Sequence, residues 1–248
     1  MNREPLGRVL FAGGIVAVAL LGLVYRNLLM WDAVPDGVPA PTLVAVGSAL
    51  LLLAAGAGLF SARFDARASR VLLTYLLLWV LLLAVIPLVK APLAELSWLE
   101  LGMYTMVLLA GWLITGKARV RLTRTIYGLA LIPVGLSHFF YWQTTMDLVP
   151  KYLPAPAFWV VLGGAAHLAA GAGILFGVFP RLAAMMEAGM LMAFTVIVWI
   201  PAVIASPGTH FNWTELVGSW VVGAAAWVVA DSYAGVPWLS VGRLPSPE

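Results

Sequence analysis

Cysteine is absent from all 248 residues, and charge is scarce: lysine, arginine, aspartate and glutamate together make up 10% of the chain. Without a thiol, disulfide relays, thiolate nucleophiles and cysteine-ligated iron–sulfur or zinc centres are excluded. No Walker loop, strand-following GxGxxG, HExxH or Ser–His–Asp pattern is present either, which removes the common nucleotide, metalloprotease and hydrolase signatures. Histidine occurs only three times. A soluble domain carries about a quarter charged residues, so a chain this poor in charge and 62% hydrophobic cannot cover itself in water. It reads as an integral membrane protein.

A span needs about 20 predominantly apolar residues. Eight stretches qualify, at 9–25, 40–61, 71–89, 99–116, 125–142, 156–179, 182–204 and 215–231, and they predict an all-α polytopic fold with eight transmembrane helices. The N-terminal run follows Arg3 and Arg8 as a signal peptide would, but no small-residue cleavage site follows it, so a retained first helix is expected. With that end inside, eleven lysines and arginines fall on the inner side and three, Arg26, Lys90 and Lys151, on the outer. The bias places both termini in the cytoplasm, and a multi-pass location in the inner (cytoplasmic) membrane is expected. The net charge of +3 is thus a topology signal, with no nucleic-acid partner implied.

Two connectors share one proline rhythm: WDAVPDGVPAP at 31–41 and, much more richly furnished, HFFYWQTTMDLVPKYLPAP at 138–156. Laid over itself at a shift of 115 residues, the chain matches 32–60 to 147–175 at 13 of 29 positions, Asp32/Asp147 and Pro35/Pro150 among them. The same shift pairs Trp98 with Trp213, Glu100 with Glu215 and Trp112 with Trp227. Apolar low-complexity sequence does not readily produce in-register Trp, Pro, Asp and Glu. The expected organisation is a duplicated four-helix unit, 1–116 and 117–231, with a tail at 232–248 in which Trp238 can anchor at the interface. Four helices per unit make the repeats parallel, related by an axis along the membrane normal.

The second unit carries Gly135-Leu136-Ser137-His138-Phe139, the proline-rich run from Leu148 to Pro156, a glycine-rich helix from Gly163 to Gly173, the turn Pro180-Arg181, and IPAVI at 200–204. In these elements it resembles the DoxX-like family of four-helix bacterial membrane proteins, well over 125–231 and, in the first half, only through the duplication. Members often carry a glutamate in the middle of the second helix, where this chain has His167. The better-known relatives are small subunits of membrane oxidoreductases that deliver electrons to quinone, so the resemblance implies a redox setting.

Ionisable groups at membrane depth are costly and are functional candidates by default. On a 1.5 Å rise per residue, His138 lies about 6 Å inside the outer end of its helix, His167 near the midplane, and Glu187 about 8 Å inside the cytoplasmic end. Their first-copy counterparts are Leu23, Leu52 and Leu72, so the first unit reads as scaffold and the second as the site. Gly163, His167 and Gly171 share a helix face. They form either a slot for a flat ligand beside the imidazole or a surface for close helix approach. His138 opens an aromatic cluster in which Tyr141 and Trp142 line an entrance or belong to an interfacial belt. His210 and Asn212, which are not duplicated, are candidates to close the site. Glu187 is expected either to pair with Arg181 or Arg124 or to begin a proton path toward His167. The depths of His138 and His167 differ by about 10 Å on the same rise, which disfavours bis-histidine haem.

These residues favour a membrane subunit of a redox system, a possible enzyme component, that binds quinone or a similar lipid-soluble ring through His138 and His167 and takes electrons from a soluble or peripheral partner. No haem, iron–sulfur cluster or zinc is expected, nor any metal site. A small-solute transporter or channel, or a non-catalytic membrane anchor, is the alternative.

Overall fold

The computed structural model describes residues 5–28 and 38–242. Asp32 and Pro35 of the first connector, Arg3, and the tail prolines Pro245 and Pro247 lie outside the described residues. The described chain is built of helices: α1 (Leu6–Tyr25), α2 (Pro41–Gly58), α3 (Asp65–Lys90), α4 (Glu95–Ile114), α5 (Val120–Phe140), the short α6 (Trp142–Leu148), α7 (Pro156–Phe176), α8 (Pro180–Ala205) and α9 (His210–Asp231).

Seven of the described helices are long and apolar enough to cross a membrane, which corrects the expected eight. The eighth expected span forms a helix of 21 residues, α5, but Arg121, Arg124, His138 and four hydroxyl residues dilute its apolar character below that of the others. It is nevertheless packed between α4 and α7. Outward-facing side chains such as Val89, Phe176 and Ile204 are large, apolar and about three-quarters exposed (74%, 76% and 75%), as a lipid-facing surface requires.

Local chemistry explains where the helices start and bend. Pro41 and Pro156 occupy the first turn of α2 and α7, where a missing N–H costs nothing. Each is preceded by an alanine, Ala40 or Ala155, held at φ 51°, in the left-handed region that a Cβ disfavours. α3 and α8 each widen into a π turn, at Val80–Val85 and Thr195–Trp199, just before Pro87 and Pro201. A proline cannot donate to the carbonyl one turn back, and the wider turn accommodates the break. Trp98 donates to the Pro92 carbonyl (2.9 Å) and Trp213 to the Pro207 carbonyl (2.8 Å), each tying the first turn of the final helix of its half to the loop before it. All these pairs stand 115 residues apart in sequence, save that the prolines of α3 and α8 are offset by one.

Packing follows the same pairing. α1 lies against α9 and α5 against α4, so the first helix of each half packs on the last helix of the other, and α4 and α9 meet between them. The fully buried side chains Phe11, Ile15, Leu52, Leu72, Leu76, Met106 and Leu131 fill the interior, and Ala224, Ala225 and Ala226 let neighbours close on α9.

One end of the bundle gathers the described arginines other than Arg26, which caps the opposite end of α1. Arg8 pairs with Asp65. Arg124 donates to Ser232 and lies 3.8 Å over the ring of Tyr233. Burial pushes the Tyr233 phenol up to about 12, so it keeps its proton and faces the guanidinium as a neutral ring. Arg181 donates to the Val236 carbonyl (2.8 Å) and stands 4.1 Å over Trp238. The cations pin loops at this basic end; the expected pairing of Arg181 or Arg124 with Glu187 is not made.

Candidate functional site

α5 and α7 run antiparallel in close contact. A Cβ on Gly171 would stand 2.8 Å from the Gly128 carbonyl oxygen, and one on Gly164 3.0 Å from that of Gly135, so only glycine permits this approach. The contact brings His138 of α5 and His167 of α7 together, with ring centroids 5.1 Å apart. This corrects the expected 10 Å difference in depth. A helical side chain leans toward the N-terminus of its own helix. In antiparallel neighbours the two imidazoles therefore lean toward each other, and the leaning closes the offset between their Cα positions.

His138 directs Nδ1 at the Val134 carbonyl, 3.1 Å away. A carbonyl only accepts, so Nδ1 holds the proton and Nε2 of the neutral ring is the free acceptor. The ring rests on Gly163, where a Cβ would stand 3.1 Å from Nε2. The glycine face of α7 thus receives helix α5 and the His138 ring. The ligand slot expected on that face is filled by the protein itself.

His167 is 1% exposed and meets Glu187 of α8 through Nδ1 and Oε1 at 2.8 Å. With the carboxylate ionised Nδ1–H donates; with it protonated the carboxyl donates, and the proton of the pair is shared across one short contact. The second oxygen, Glu187 Oε2, is buried with no hydrogen-bond partner, as is the hydroxyl of Tyr127. Phe194 of α8 stands 6.5 Å from the His138 ring and 6.2 Å from that of His167.

Both imidazoles border a cavity of about 690 Å³, a volume suited to a drug-sized or ring-bearing ligand. Its wall is overwhelmingly apolar, drawn from α4 to α9 and the connector after α6, with Trp159 and Phe194 as aromatic faces. The polar exceptions include His138, His167, Glu100 and Glu215. The corresponding positions in the first half are apolar or differently bonded. Leu23, Leu52 and Leu72 replace His138, His167 and Glu187, and Ser48, bonded to Tyr75, stands where Gly163 opens the second. Trp79, edge-on to Tyr75 at 4.6 Å, occupies the position of Phe194.

The remaining sequence candidates lie elsewhere. Tyr141 sits beside Glu95 at the surface and Trp142 is 37% exposed; neither lines the cavity. His210 stacks on Tyr25 (centroids 3.9 Å) with Nε2 3.2 Å from Asn27 Nδ2, tying the start of α9 to the end of α1. Asn212 donates to the Ala202 carbonyl at 3.0 Å and joins α9 to α8. Neither closes the site, because the face of α9 that meets the cavity is the one bearing Glu215, Gly218, Ser219 and Val222. The sequence reading overlooked Glu100 and Glu215 because duplication marked them as structural; their common depth near the junction of α4 and α9 was the available signal.

Apolar spans enclosing a largely apolar cavity with a buried His–His–Glu cluster define a polytopic α-helical membrane protein with a specialised second half. The DoxX family model matches residues 120–199. This stretch, from α5 to the π turn of α8, is DoxX-like, and it contains His138, His167, Glu187 and Phe194. No curated protein and no solved structure matches the chain.

Proposed function

We propose that this chain is the membrane subunit of a redox system and that its cavity takes a quinone or a similar lipid-soluble ring. The observation that carries the reading is the pairing of His138 with the His167–Glu187 couple on the wall of an otherwise apolar cavity of about 690 Å³. Apolar walls suit a ring delivered from lipid; His167 Nε2–H, present when the Glu187 carboxyl donates to Nδ1, would donate to a carbonyl oxygen of the ring, and His138 Nε2 would accept from a hydroxyl of its reduced form. A quinone would supply a two-electron, two-proton acceptor; the electrons would come from a soluble or peripheral donor. His138 would orient the ring, and the His167–Glu187 pair would hold and exchange a proton at His167 Nε2.

The chain is further proposed to be two parallel copies of one four-helix unit, 1–116 and 117–231, with both termini on the cytoplasmic face of the inner membrane. The recurrence at 115 residues of Ala40/Ala155, the two π turns and the two Trp–carbonyl bonds supports the duplication. The unequal polarity of the two copies, with Leu23, Leu52 and Leu72 against His138, His167 and Glu187, argues against the symmetric rocking that a repeat transporter uses.

Organic extraction of the purified protein followed by mass spectrometry tests the reading. Quinone retained by the wild type and lost from His138→Ala and His167→Ala is expected; a folded wild type without quinone would redirect the reading to transport or anchoring.

A further inference from the structure

The cavity wall reaches the surface of the bundle along a seam between α7 and α8. On α7, Val161 is exposed and does not line the cavity, Leu162 is exposed and also lines it, and Gly163 is buried in its wall. α8 repeats this progression. Val196 is exposed and does not line the cavity, Ile197 is exposed and lines it, and the less exposed Val198 lines it from inside. Each helix thus passes from lipid-facing surface to cavity wall through one apolar residue that belongs to both.

Opposite the basic end of the bundle the seam is bridged. Val149, Pro150 and Leu153 of the connector line the cavity there, and Tyr152 donates its hydroxyl to the Ile197 carbonyl at 2.7 Å. In a regular helix that carbonyl would accept from residue 201, which is a proline and has no N–H. Tyr152 therefore ties the chain just ahead of α7 to an α8 carbonyl that lacks its regular partner. The first connector, 31–41, contains no tyrosine, and Gly37 stands 115 residues before Tyr152.

We infer that the seam is the tail exit of the site: the ligand is a ring carrying a long apolar tail, with the ring in the cavity and the tail passing Leu162 and Ile197 into the bilayer. This rests on the ring reading of the cavity. A volume of about 690 Å³ holds a drug-sized body, so a long chain has to leave it. The connector and the Tyr152 bridge bar the way toward water, where the chain would lose its hydrophobic stabilisation. The seam leads instead into hydrocarbon as apolar as the Leu162 and Ile197 side chains themselves. A chain lying there meets the Ile197 carbonyl already hydrogen-bonded, not open.

Leu162→Trp and Ile197→Trp each place a larger side chain at an exposed position, so the fold should survive, and they obstruct the seam from its two sides. Calorimetry in detergent measures the binding of one benzoquinone ring in two forms, with a decyl tail and without a tail. The wild type should bind the decyl form at least about tenfold more tightly than the tail-less one. Each variant should weaken the decyl form by about tenfold and leave the tail-less form within about threefold of the wild type. A wild type indifferent to the tail, decyl binding unchanged in either folded variant, or a loss shared equally by the two forms overturns the tail exit and leaves the ring in the cavity. A wild type that binds neither form removes the ring reading, and the tail exit with it.

Discussion

Glu187 is bonded to His167 of the neighbouring helix across 2.8 Å, and the two residues are each 1% exposed. The first half places Leu52 and Leu72 at the corresponding positions, equally buried at 1%. One protein thus contains both a polar and an apolar solution for the same pair of helix positions.

The double replacement His167→Leu/Glu187→Leu should therefore fold at least as stably as the wild type. Either single replacement leaves the other group buried and unpaired, and should cost about 3 kcal/mol or more. Thermal unfolding in detergent of the two single variants and the double variant measures this non-additivity.

Gly163 leaves the space that the His138 ring occupies. Gly163→Ser installs the residue found 115 positions earlier, Ser48, with a Cβ 3.1 Å from His138 Nε2 and 3.5 Å from Phe194 Cζ. The ring must shift into the cavity, and bound quinone should fall by about tenfold, equivalent to about 1.4 kcal/mol. Unfolding temperature should stay close to that of the wild type, since the obstructing atoms belong to side chains.

Gly171 offers no such relief, because the obstructing atom is the Gly128 carbonyl oxygen at 2.8 Å. Gly171→Ala should destabilise by about 1–3 kcal/mol, the usual cost of overpacking. Gly189, on α8, has nothing within 4 Å of the position of an added Cβ. Gly189→Ala should instead be neutral or stabilising by up to about 1 kcal/mol through helix propensity. The two unfolding curves, run side by side, separate helix contact from helix propensity.

Much of the architecture was legible because membrane helices announce themselves by length and composition, and because Pro41 and Pro156 mark the same boundary twice. The polarity difference between positions 115 residues apart singled out His138, His167 and Glu187, and the structure gathers these three into one cluster. Distance along a helix gave their depth but neither their azimuth nor their lean. Of the two expectations for Glu187, an arginine partner or a path toward His167, the structure shows a direct bond to His167, and the histidine rings stand closer than rise along the helices alone suggests. His210 and Asn212 share the outer end with the connector, yet they point to α1 and α8, a choice that no single helix can reveal. Tyr127 passed unnoticed although the same comparison, Ala12 against Tyr127, would have raised it. The π turns left no signal beyond a proline near each.

The most direct test of the central claim is equilibrium binding of a short-chain quinone to purified wild type and to the His167→Leu/Glu187→Leu protein, followed by quenching of tryptophan fluorescence. The wild type should saturate in about the micromolar range and the double variant should bind at least about tenfold more weakly while remaining folded. Equal binding by the two proteins would contradict the assignment of the ring to the His167 cavity.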